Sequence, residues 1–172
     1  MREIELKDLV VDPIHRIDGD WMLITAGDDT TGYNTMTASW GHLGSIWGHS
    51  GGLPTAVIYV RPQRYTKEFV DREEKYTLCF FGPEYKKALG YLGTHSGRDG
   101  DKVSAAGLTP VFGPGYTYFA EADLVLVCRK LYRAPIVEEG FLDRAVMEDC
   151  YPNRDFHDLY IGQILQAFVA DE

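Results

Sequence analysis

The sequence predicts a mostly β protein: a closed, largely antiparallel barrel carrying a few helices. Three observations point there. Six runs are rich in β-branched and aromatic residues. They are not separated by the regular helices of a βαβ repeat. One of them, Leu124-Val125-Leu126-Val127-Cys128, is apolar at every position and suits a strand buried on both faces. At 172 residues the chain suits one domain, residues 1–172, long enough to bury a sizeable core.

The elements follow in order. Strands are expected over Trp21–Ala26 and Asn34–Trp40, joined by Gly27-Asp28-Asp29-Thr30-Thr31-Gly32-Tyr33, whose glycines and aspartates are hairpin chemistry. The glycine-rich segment 41–52, flanked by Trp40 and holding Trp47, reads as a flexible loop that could cover a bound group or pack on a second subunit. Thr55–Val60 contains Ala56-Val57-Ile58-Tyr59-Val60 between Pro54 and Pro62 and reads as a buried strand. Thr66 is a candidate N-cap for a helix over Thr66–Glu74. A strand over Tyr76–Phe81 precedes a helix over Pro83–Leu92, with Pro83 in the first turn and Gly93 as a stop. A long strand over Ala122–Tyr132, a short helix over Phe141–Asp149 and a last strand over Leu159–Val169 complete the pattern.

Composition excludes some partners. Seventeen Lys and Arg against 26 Asp and Glu give a net charge of −9, a field that repels nucleic acid and anionic membrane surfaces. Cys79, Cys128 and Cys150 are odd in number and lack metal-like spacing. They read as reduced thiols of a cytoplasmic protein, with Cys79 and Cys128 filling core positions in apolar strands. His15, His42, His49 and His95 show no compact ligand spacing, so no metal site is expected. No signal peptide is recognisable, and no apolar run reaches the roughly 20 residues that span a bilayer.

Against that acidic background, two short basic segments stand out as a local anion site. Ser96-Gly97-Arg98-Asp99-Gly100-Asp101-Lys102 gathers a hydroxyl donor, two glycines that let backbone N–H groups approach an anion, a planar guanidinium and a mobile ammonium. Asp99 and Asp101 read as braces for the loop. The same residues also suit a solvated, charged turn. Arg61-Pro62-Gln63-Arg64-Tyr65-Thr66 adds Arg61 and Arg64 at a strand-to-helix junction, beside the free N–H groups of a helix start. A third segment, Asn34-Thr35-Met36-Thr37-Ala38-Ser39-Trp40-Gly41, offers small and hydroxylated side chains that let a flat heteroaromatic ring lie against backbone. By composition alone it reads equally as a threonine-rich strand without a ligand. His157, at the start of the last strand, suits either a contact to a cofactor or acceptor or a polar strand end.

Taken together, these three segments and the ending His157-Asp158-Leu159-Tyr160-Ile161-Gly162-Gln163-Ile164 resemble the flavin reductase-like family of FMN-binding split-barrel proteins. The resemblance runs from about residue 21 to 169. It implies a Greek-key split barrel, a homodimer, FMN bound near the subunit interface, and NADH or NADPH as electron donor with a small molecule or redox protein as acceptor. Carried over by position, it implies that Asn34, Met36, Thr37, Ala38, Ser39 and Trp40 line the isoalloxazine and ribityl chain. Arg61, Arg64, Thr66, Ser96, Gly97, Arg98 and Lys102 then surround the phosphate, and His157 is the one candidate catalytic residue. Gly162-Gln163 departs from the Gly-Glu common in the family and removes a carboxylate. An FMN- or haem-binding carrier without NAD(P)H turnover, and an enzyme resembling pyridoxamine-phosphate oxidase, are the alternatives.

Overall fold

The computed structural model describes residues 1–49 and 51–171. Its strands are β1 (Arg2–Ile4), β2 (Met22–Asp28), β3 (Gly32–Ala38), β4 (Gly41–Ile46), β5 (Leu53–Val60), β6 (Lys75–Phe80), β7 (Pro110–Gly113), β8 (Tyr116–Phe119), β9 (Leu124–Pro135) and β10 (Asp158–Val169). Its α-helices are α1 (Thr66–Arg72), α2 (Lys86–Thr94), α3 (Lys102–Ala105) and α4 (Arg144–Cys150). The main sheet runs β3-β2-β6-β9-β10-β5-β4, with β1 added on β10, and β7–β8 is a separate hairpin. Every pairing is antiparallel.

Side-chain alternation explains why this sheet needs cover on both faces. In β2, Met22, Ile24 and Ala26 enter one core while Leu23 enters the other. In β9, Leu124, Leu126 and Cys128 face the first core, and Val125 and Val127 the second. The first core is the concave interior, where Ile58, Tyr76, Leu78, Phe80 and Tyr160 meet. The second is closed by α2, α3 and the β7–β8 hairpin through Leu89, Leu92, Val103, Tyr116 and Phe119. Cys79 and Cys128 are fully buried, as expected, and burial pushes the Cys79 thiol up to about 12.

One close approach fixes the middle of the wall. Tyr76 Oη donates to the Ala56 carbonyl at 2.9 Å, and a Cβ at Gly162 would stand 2.4 Å from that hydroxyl. Gly162 also sits where the β9–β10 register shifts. A bare backbone there lets the buried tyrosine cross β10 to reach β5.

Several expectations are corrected. Among the described residues β3 and β4 do not pair with each other, so the barrel is open rather than closed. Half of the glycine-rich segment expected as a loop is β4, paired residue for residue with β5 from Gly41↔Ile58 to Ile46↔Leu53. It is an edge strand with few buried side chains, so it carries no apolar run to betray it. The helix expected over 83–92 is a 3-10 turn over Pro83–Tyr85 followed by α2, which runs one residue past Gly93. α4 begins at Arg144, where Asp143 Oδ1 accepts from Ala145 N at 3.0 Å. Among the described residues no helix is long and apolar enough to cross a membrane.

Candidate functional site

Four chain segments converge at one end of the sheet: the end of β3 through Trp40, the β5–α1 junction, the α2–α3 loop and the start of β10. Each arrives there for a local reason. Thr37 Oγ1 donates to the Leu89 carbonyl at 2.6 Å and ties β3 to α2. The β5–α1 junction turns at Arg61, whose carbonyl accepts from Arg64 N at 3.1 Å. Asp101 Oδ1 accepts from Ser104 N at 3.0 Å and starts α3, the bracing duty expected of it. Arg154, with φ 56°, lies in the left-handed region and closes the turn that delivers His157 to β10.

The convergence makes two cavities that share Met36 and Arg64. The first, about 290 Å³, is walled by Met36, Thr37, Ala38, Ser39, Trp40, Tyr59, Arg61, Arg64 and His157. The second, about 200 Å³, includes Asn34, Gln63, Arg64, Thr66, Ser96 and Lys102 among its lining. Each is lined by two cations and no carboxylate, in a protein of net charge −9.

The four expected cations divide into two pairs. Arg61 Nη1 is held by Asp155 Oδ2 at 2.5 Å and its Nη2 donates to the Cys150 carbonyl at 2.9 Å. Hydrogen bonds from Gln63 and Arg61 keep Asp155 below the usual carboxylate range. Arg98 lies over the Tyr65 ring, 4.3 Å from its centroid, and pairs with Glu68. It is half exposed and lines neither cavity, contrary to its expected place at the anion. Arg64 and Lys102 have no carboxylate partner among the described residues. Arg64 Nη1 donates to the Gly93 carbonyl at 2.9 Å, and Lys102 Nζ to the carbonyls of Leu92 at 3.1 Å and His95 at 3.0 Å. Lys102 is 6% exposed, so the mobile ammonium expected from sequence is a fixed one. Burial, reinforced by the neighbouring Arg64 charge, pushes it down to about 8.

The polar residues around these cations keep protons free. Thr66 is the first residue of α1 rather than its N-cap, and no side chain caps that helix. Its hydroxyl accepts from Asn34 Nδ2 at 2.8 Å, which leaves its own proton available. Ser96 Oγ accepts from Arg98 N at 3.2 Å and likewise keeps its proton. Gly97 is required here: a Cβ would fall 2.1 Å from Asn34 Oδ1 and break the Asn34–Thr66 link. Arg64 and Lys102 each carry more N–H donors than the carbonyls they meet.

His157 is buried, with Nδ1 2.7 Å from Tyr151 Oη and the Trp40 ring 5.0 Å away. Burial and the nearby Arg61 charge push it down to about 4, so it is neutral at physiological pH. Tyr59, Gln63 and Tyr151 belong to this neighbourhood, and the sequence alone does not mark them as site residues. Tyr59 alternates within an apolar strand and carries no local signal. Tyr151, six residues before His157, could have been found only by asking what holds the histidine.

This open antiparallel sheet is matched in known proteins. A family model described as a flavin reductase like domain matches residues 14–172, and the chain belongs to that family. No curated protein sequence matches it. Among solved structures it is similar to flavoredoxin of Desulfovibrio vulgaris (Miyazaki F), with 21% identity, TM-score 0.65, and coverage of 88% of this chain and 69% of that one. Flavoredoxin from Methanosarcina acetivorans matches with 17% identity, TM-score 0.66, and coverage of 99% and 77%. The styrene monooxygenase flavin reductase of Pseudomonas putida S12 matches with 13% identity, TM-score 0.61, and coverage of 89% and 80%. At these identities the likeness is one of fold, and it supports the split-barrel architecture.

Proposed function

We propose that the chain binds FMN and, as a homodimer, transfers electrons from NADH or NADPH through it to a small molecule or redox protein. The observation that carries the reading is the pair Arg64 and Lys102: two neighbouring cations, one partly and one fully buried, with no carboxylate partner among the described residues, lining the smaller of two adjacent cavities. Leaving such charges without an anion is costly, and a phosphate is the ligand that matches their donors. The two adjacent cavities share Arg64, and one adds the Trp40, Tyr59 and His157 rings while the other adds Lys102, which fits a flat heterocycle carrying a phosphate. Membership of the flavin reductase-like family supports the same reading.

In that reading Arg64, Lys102, Thr66 and Ser96 hold the phosphate. Arg61 and Arg98 act through their carboxylate partners, Arg61 by anchoring Asp155 and Arg98 by bracing α1. Met36, Thr37 and Ala38 offer a thin backbone wall to the ring, and Trp40 and His157 close its far side. FMN, when bound, supplies the hydride and electron chemistry. His157 serves as a neutral hydrogen-bonding group held by Tyr151, not as a charged acid, since its proton affinity lies well below neutrality. The protein's contribution is therefore placement rather than acid–base catalysis. Excess NADH or NADPH should bleach the flavin absorbance under argon, and air should restore it. Absent bleaching with either nucleotide, in protein whose FMN dithionite reduces, would instead mark an electron carrier or storage protein.

A further inference from the structure

We propose that a separate apolar cavity beside the ring-walled one binds a small, uncharged aromatic molecule. This cavity measures about 570 Å³, within the roughly 300–1,000 Å³ of small-molecule sites. Its walls include Ile14, Ile17, Trp40, Tyr59, Phe141 and Tyr151, and it shares Ser39, Trp40 and Tyr59 with the ring-walled cavity. Part of its wall is a packed aromatic cluster, with Tyr151 edge-on to Phe141 at 5.8 Å and to Trp40 at 6.4 Å, which gives the cavity an apolar, aromatic lining.

Charge decides the class of guest. No Lys or Arg lines this cavity, whereas each cavity of the flavin site has two. The one ionic residue on its wall is Asp18, which is exposed at the rim and repels anions. An anionic guest would lose water without gaining a cation, and a dinucleotide would have to leave its pyrophosphate outside. Its other polar side chains are the Ser39 hydroxyl, the Cys150 thiol, the His42 ring, whose Nδ1 is 3.2 Å from Tyr59 Oη, and Tyr151, whose hydroxyl is paired with His157. They suit one hydroxyl or carbonyl on an otherwise apolar ring. The inference stands on the cavity alone and does not require the flavin reading.

The test is a calorimetric titration of the purified full chain with 2-naphthylmethanol and with 2-naphthoate, which share a ring and differ in charge. FMN is titrated in parallel. The alcohol should bind saturably at one per chain, and the carboxylate at least tenfold more weakly. Val146→Trp, on the half-exposed α4 wall, should weaken the alcohol at least tenfold and leave FMN affinity within twofold. If that variant is unfolded by circular dichroism, Ile14→Glu at the 81% exposed rim should give the same loss. No saturable alcohol binding, carboxylate binding as tight as the alcohol, or indifference to both variants overturns the proposal. So does a change of oligomeric state in the folded variant, which would make the cavity a subunit contact. Alcohol binding without FMN binding would sink the flavin reading and leave this one standing.

Discussion

At the residue scale, the cleft turns on which cations are already neutralised. Arg61 and Arg98 have carboxylate partners, and among the described residues Arg64 and Lys102 have none. Lys102 gives this a pH signature. Its folded value of about 8 lies below its ordinary 10.5, so below pH 8 it is charged in both folded and unfolded chains and the burial penalty is fully present. Between about 8 and 10.5 only the unfolded chain keeps the proton, and the folded state gains relative stability as pH rises. A phosphate needs the charged form, so FMN affinity should fall several-fold from pH 7 to 9.5 by fluorescence-quenching titration. Lys102→Met should bind FMN at least tenfold more weakly at pH 7, since a charge-assisted bond contributes about 1.5–3 kcal/mol, and should lose the pH dependence. An unchanged slope in that variant would remove Lys102 from the phosphate site. The sequence shows all four basic residues equally; it does not show that Glu68 and Asp155 arrive from other segments to pair with two of them.

At the element scale, most of the main sheet is legible because β2, β5, β6, β9 and β10 bury alternate or consecutive apolar residues, and β3 follows β2 through a glycine- and aspartate-rich hairpin turn. The rest is not, because β4 is a glycine-rich edge and β1, β7 and β8 have four residues or fewer. The short α3 is hidden for the same reason: its four residues follow a charged loop without an apolar period, and Asp101 capping shows only in three dimensions. Convergence of the site segments is legible only in outline, since Asn34, Thr66 and Gly97 meet through one hydrogen bond and one missing Cβ. Register tolerance gives a sharper test. Gly162→Ala would drive a methyl into the Tyr76 hydroxyl and should cost about 1–3 kcal/mol by urea unfolding. A wild-type midpoint in that variant would show that β10 can shift at no cost.

At the scale of the whole molecule, β4 leaves an unpaired strand edge with Ile46 and Trp47 more than 40% exposed, and Trp47 6.3 Å from the half-exposed Tyr132. Such an edge is ordinarily covered. Light scattering should give a dimer, about twice 19.4 kDa, at micromolar concentration. A stable monomer there would contradict the homodimer. The same net charge of −9 that repels polyanions surrounds Arg64 and Lys102, so affinity for a phosphate has to come from the cleft and not from the overall field. Comparing FMN with riboflavin, which carries the same ring without the phosphate, therefore tests the central claim most directly. Equilibrium titration at pH 7 should show FMN binding at least tenfold more tightly than riboflavin, with the difference abolished in an Arg64→Ala, Lys102→Met double variant. Equal affinities in the wild-type protein would contradict the assignment of this cleft to a phosphate-bearing flavin.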